Sequence, residues 1–145
     1  MSLSIETAVR GVADALRDKI APALEDSFTT EVSRLSVILL TIMANAADDA
    51  VPLRVEENAA LRAILSDGAP LVDDGGLAGQ LTQAAASADP GLRISELDGE
   101  TDRLRRLLIA LQERLESSVD PAAKAMDQRI WRLLRDSEEK RTPRV

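Results

Sequence analysis

The stretch "SVILLTIMANAADDA", residues 36–50, decides how this chain is read. Large apolar side chains give way to small ones, then to Asn45 and the carboxylates of Asp48 and Asp49. Three readings are open: a membrane span, a helix presenting polar groups to a ligand, or a core helix ending in water. Measured at about 100° per residue from Ile38, Ile42, Leu35, Ala46, Leu39, Val32, Met43, Ala47 and Leu40 fall between about 40° and 200°. Arg34, Thr41, Asn45 and Asp48 lie on the other side. An arc that wide implies contact with more than one neighbour. The large apolar run, Val37–Met43, is seven residues with Thr41 counted, far short of the ~20 that cross a bilayer. A central, buried helix is therefore expected over residues 30–50, with Leu39 in the core and no membrane span.

Outward from this stretch, the periodicity is helical throughout. Ile5, Val9, Val12, Leu16 and Ile20 form one face, with Ser4 as N-cap and Pro22 ending or kinking the helix near Ile20. Asp26, Ser27, Thr29 and Thr30 offer caps for the central helix. Pro52 is expected to close that helix, because the residue before a proline is pushed out of helical geometry. A third helix is expected over 53–65, ended by Gly68 in a left-handed conformation. A short fourth carries Leu77, Leu81 and Ala84, and a fifth, capped by Asp98, carries the stripe Leu104, Leu107, Leu108, Leu111 and Leu115. Asp120 and Pro121 start a sixth, which buries Met126, Ile130, Leu133 and Leu134 and frays in "DSEEKRTPRV". The fold class is all-α, a single-domain bundle of five or six helices over residues 1–140, with 141–145 a polar tail.

Composition narrows the chemistry. The chain has 145 residues, enough to bury about 70% of its unfolded surface. Phe28 and Trp131 are its only aromatics, so the core must be Leu, Ile, Val and Ala. There is no Cys and no His. Disulfides, thiolate nucleophiles, imidazole metal ligands and histidine-based triads are thereby excluded. Residues 1–75 carry 13 acidic and 6 basic side chains, and residues 76–145 carry 12 of each. The acidic half disfavours nucleic acid, which needs a basic face. No signal-peptide pattern opens the chain, so a cytoplasmic location is expected.

Three groups of side chains are candidate sites, each with a plainer reading beside it. Asn45 and Asp49 share a helix face at i and i+4. With Glu56 and Glu57 they could gather oxygen ligands around a divalent cation, or simply be the solvated end of a helix. Glu113 and Glu116 have a hydrolase-like E-x-x-E spacing but face away from the Leu stripe, and no second pair accompanies them. Arg129, Arg132 and Arg135, with Trp131 on the flank of the last helix, are interface candidates, since Trp anchors many interfaces. The alternative for these arginines is an ordinary charged surface.

Two segments resemble a known family. "ALRDKIAPAL" (15–24), followed by a long apolar-alanine helix containing "AN", and "RISELDGETDRLRRLLIALQERL" (93–115) are similar to the two recognisable blocks of a bacterial helical family of unknown function. That family accompanies aminoglycoside-phosphotransferase-like kinases and acyl-CoA dehydrogenases. About half the chain takes part. It departs at "EDSFTTEV" (25–32), where the family often has aromatics and His. The resemblance implies an accessory helical domain with a kinase or acyl-CoA dehydrogenase as partner, and it transfers no catalytic residue and no cofactor.

The leading expectation is a non-catalytic accessory or interaction module that forms a homodimer through its last two helices, with no membrane and no nucleic acid involved. The second is a carboxylate-based metal-dependent or small-ligand enzyme centred on Asp49.

Overall fold

Each helix of this chain begins where a side chain can accept backbone N–H groups that the first turn leaves unpaired. The structure, a computed structural model, describes residues 2–142. Ser4 Oγ accepts from the Thr7 N–H at 3.1 Å at the head of α1 (Ile5–Ala15). The Asp26 carboxylate accepts from the Thr29 N–H at 2.7 Å and starts α2 (Ser27–Gly68). That bond, reinforced by the Thr29 hydroxyl, holds the Asp26 carboxyl below its ordinary value. Asp74 caps α3 (Gly75–Ala85) through Leu77. At α4 (Ile94–Glu116) the Glu96 carboxylate reaches back to the Arg93 N–H at 3.2 Å, half of a capping box. Asp120 caps α5 (Pro121–Arg141), and Pro121 fills the first helical position.

The all-α bundle expected from the sequence is what the structure shows, with five α-helices and no strand among the described residues. The chain packs as two compact units, one up to Ala50 together with Thr142, the other Val51–Arg141. The second unit holds the hydrophobic core. Leu61, Ile64 and Leu65 from α2, Leu81 and Ala84 from α3, and Leu104, Leu108, Leu111 and Leu115 from α4 are buried with Met126 and Ile130 of α5. Burying each large side chain contributes about 1.5–3 kcal/mol, so this cluster carries the stability of the unit.

The first unit is built differently. After α1 the chain makes a π turn over Leu16–Ile20 and a 3-10 turn over Ala21–Ala23, where Pro22 can donate no hydrogen bond. It then returns along the first half of α2. Arg10 donates to Asn45 Oδ1 at 2.7 Å, so the two helices lie side by side as a hairpin. Among the described residues up to Ala50, only Ala13, Ser33 and Ala44 are buried.

Four details depart from the sequence reading. Pro52 does not end a helix: α2 runs through it for 42 residues, so the expected second and third helices are one. A proline inside a helix removes one hydrogen bond and crowds the carbonyl four residues earlier. Here both sides are held by tertiary contacts, Asn45 by Arg10 before it, and Arg54 and Glu57 by partners on α4 after it. Gly68 is not left-handed; its φ is −82° and its ψ −26°. A Cβ there would stand 2.5 Å from Leu111 Cδ2, so the glycine permits a close approach of α4 rather than a turn. Helix α4 starts at Ile94, earlier than the expected cap Asp98, which instead accepts from Arg54 at 2.6 Å. Finally, α5 does not fray after Leu134. It continues to Arg141, whose guanidinium is held 2.6 Å from Glu57, while Lys140 pairs with Glu56. Of the expected polar tail, residues 143–145 lie outside the described residues.

Candidate interaction surface

The helix that opened the sequence reading is not in the core. Leu39 is 61% exposed, and Phe28, Val32, Leu35 and Met43 are exposed with it. Around α2, taking Leu39 as zero and about 100° per residue, these five side chains fall within about 40° of one line. Ser33 and Ala44, which are buried, lie near 120° and 140°, on the side turned to α1. The width of the apolar arc implies burial against more than one neighbour, but the arc divides into two faces. One is covered by α1. The other meets solvent.

The outer face has an unbroken order. Phe28, Val32, Leu35, Leu39, Ile42 and Ala46 follow at spacings of four, three, four, three and four, a heptad seam of the kind that docks another helix. No charged residue falls within about 60° of Leu39 between Ser27 and Ala50. Helix α1 extends the face: Ile5 and Val12, two turns apart, are 73% and 57% exposed. The Arg10–Asn45 bond fixes the opposite flank, because Val12 and Met43 each sit about 160° around their helices from the bonded residue. One flank of the hairpin is polar and closed; the other is apolar and open. The side of α2 turned to α1 carries a small defect, since the Ser33 hydroxyl is buried without a hydrogen-bond partner.

The four expected ligand candidates divide between the two units. Asn45 accepts from Arg10, and Asp49 is exposed on the first unit's part of α2. Glu56 and Glu57 belong to the second unit, where Glu56 pairs with Lys140, and Glu57 is buried between Arg105 at 2.5 Å and Arg141 at 2.6 Å. Both acids are already matched by bases, which would compete with a cation. No group of three acidic residues suited to a metal ion occurs among the described residues. Glu113 and Glu116 are exposed, as their helical phase required. Trp131 is exposed at 59%, but no other large apolar side chain is exposed three, four or seven residues from it. Arg129 is spent on Asp67 at 2.6 Å, and Arg135 lies 3.5 Å from Asp136 on the same helix; Arg132 is exposed. The last helix therefore offers a single aromatic among charges, not a continuous face.

A polar network in the second unit was not foreseen. Arg62 reaches Asp89 and Glu100, both at 2.8 Å, and Arg103 grips Glu100 and the Ser87 hydroxyl. Asn58, fully buried, donates to Asp89 at 3.0 Å and accepts from the Thr101 hydroxyl at 2.7 Å. The Arg103 hydrogen bonds, with help from Arg62, hold the Glu100 carboxyl below its ordinary value against the opposing effect of burial. Glu100 in turn raises the Arg103 guanidinium further above its own. Every acid here is matched by a base, so the network clasps the loop after α3 onto α2 and α4. Only the Glu100–Arg103 pair, three apart on one helix, was readable locally. The other partners are 13 to 43 residues apart in the chain.

The fold and surface thus define an all-α protein whose largest run of exposed apolar side chains among the described residues is the flank of an N-terminal hairpin. No family model matches the chain, no curated protein matches it, and no solved structure matches it.

Proposed function

We propose that this protein is a non-catalytic interaction module, with the hairpin as its contact element and the second unit as its folded body. One observation carries the reading. The first unit buries no large side chain among the described residues, yet exposes large apolar ones on both of its helices. Monomers rarely leave contiguous apolar patches beyond a few hundred Å² unless something docks there. The cytoplasm is the proposed location, in keeping with the 30% of charged residues.

A photo-crosslinking residue in place of Leu39, introduced in living cells, tests this. Position 39 should give a discrete protein adduct, while the same residue at Glu113, exposed on α4, should give none. Equal labelling at the two positions refutes the module. An adduct with the mass of a kinase or an acyl-CoA dehydrogenase would favour the partners that the sequence resemblance implies.

A further inference from the structure

We infer that the occupant of the open flank is a second copy of this chain, the two hairpins closing by two-fold symmetry into a four-helix bundle. This rests on the interaction-module reading and names its partner. The first argument is incompleteness: a two-helix hairpin encloses no core, and among its described residues this one buries only Ala13, Ser33 and Ala44. Two more helices on the open flank would supply the missing layer, with the seam from Phe28 to Ala46 as its inner edge.

The second argument is area. The flank exposes five large apolar side chains on α2 together with Ile5 and Val12 on α1, a contiguous set suited to an interface that takes ~800 Å² from each partner. The third is charge. A chain with 13 acids against 6 bases in its first 75 residues repels its own copy wherever those charges meet. Here they do not meet: Glu31 and Asp49 lie about 80° from the Leu39 line, Arg34 about 140° and Asp48 about 180°. The face has no charge pattern selecting a different partner and none rejecting itself, which suits a two-fold contact where one patch meets its twin.

A lipid bilayer is the weaker occupant. Helix α2 is long and apolar enough in overall composition to count as a candidate span. Yet its longest charge-free segment, residues 35–47, rises only about 20 Å, against a hydrocarbon core of about 30 Å.

Sedimentation equilibrium of the full chain between 1 and 100 μM tests the inference, with Leu39→Glu, Trp131→Ala and Ile109→Glu as variants. Leu39 and Ile109 are both exposed in the isolated chain, so neither glutamate disturbs folding, which Trp131 fluorescence during urea unfolding checks. The native chain and the Trp131→Ala and Ile109→Glu variants should be dimers. Leu39→Glu should raise the dissociation constant roughly 100-fold or more, because each copy then buries an unpaired charge. A native chain that stays monomeric, or a Leu39→Glu chain that stays dimeric, overturns the inference. So does a monomer that co-sediments with phosphatidylglycerol vesicles and loses that on Leu39→Glu, which assigns the flank to lipid. A monomer in solution whose position 39 still crosslinks to a different protein in cells removes the second copy and leaves the interaction module standing.

Discussion

Replacing Gly68 by alanine sets two effects of opposite sign against each other, and the structure says which wins. Gly68 ends α2 with right-handed φ and ψ, so alanine meets no backbone strain. Helix propensity alone would make Gly68→Ala stabilising by up to about 1 kcal/mol. The new methyl, however, would stand 2.5 Å from Leu111 Cδ2 and 3.2 Å from Cδ1. Leu111 is fully buried, in one cluster with Leu65, Leu108 and Leu115, and has little room to rotate away. Overpacking of this kind costs about 1–3 kcal/mol. The net expectation is destabilisation of about 1–2 kcal/mol, a fall of very roughly 4 °C in Tm for a chain of this size. A left-handed glycine would give a similar loss by a different cause, and a double-mutant cycle separates the two. In a Leu111→Ala background, itself about 2–5 kcal/mol less stable, the clash is gone, and Gly68→Ala should become neutral or stabilising. Urea unfolding followed by circular dichroism and by Trp131 fluorescence measures all four corners. Gly68→Ala stabilising the native chain, or equally harmful with and without Leu111, would show that α4 does not press on the end of α2 as described.

Three further outcomes follow from particular contacts. Glu100 has its carboxyl held low by Arg103 and Arg62, so its stabilising effect is complete above its ordinary value of 4.5 and is lost as pH falls through the folded value. Glu100→Gln should therefore flatten the loss of stability below about pH 4.5 in acid-unfolding curves; an unchanged curve would show that the Arg62–Glu100–Arg103 clasp does not form. Ser33→Ala removes a buried hydroxyl that has no partner and puts a better helix former in its place. It should raise stability by up to about 1 kcal/mol in thermal melts, and a loss would reveal a bond to that hydroxyl. Asn58→Ala deletes the fully buried link between Asp89 and Thr101 and should cost about 1–3 kcal/mol. Hydrogen exchange should place the new opening in the loop after α3, and faster exchange everywhere except there would contradict the network.

Much of the architecture was legible because it is local. A cap needs one side chain within three residues of an N–H, so Ser4, Asp26 and Asp120 with Pro121 could be read directly from the chain. A helix stripe needs only its own period, and Leu104, Leu108, Leu111 and Leu115 are buried as that period required. The absence of Cys and His excluded whole chemistries before any coordinate was known. The candidate surface was not legible: the width of the arc on α2 implied burial against more than one neighbour, and apolarity does not say which face a neighbour covers.

Tertiary structure decided everything that depends on where a distant segment arrives. Helix α1 covers the Ser33–Ala44 side of α2, with Arg10 bonded to Asn45, and leaves Leu39 to solvent. Pro52 is a helix breaker by its own chemistry and a helical residue here, because contacts on either side outweigh the loss of one hydrogen bond. Gly68 read as a turn glycine until Leu111, 43 positions later, proved to need its missing Cβ. Glu56 and Glu57 read either as ligand candidates or as a solvated helix end, and their pairing with Lys140 and Arg141, 84 residues on, could not be read from the chain. Periodicity and capping come from forces acting within one or two helical turns, so the linear sequence displays them. Burial and ion pairing are properties of pairs of segments, and they exist only once folding has brought those segments together.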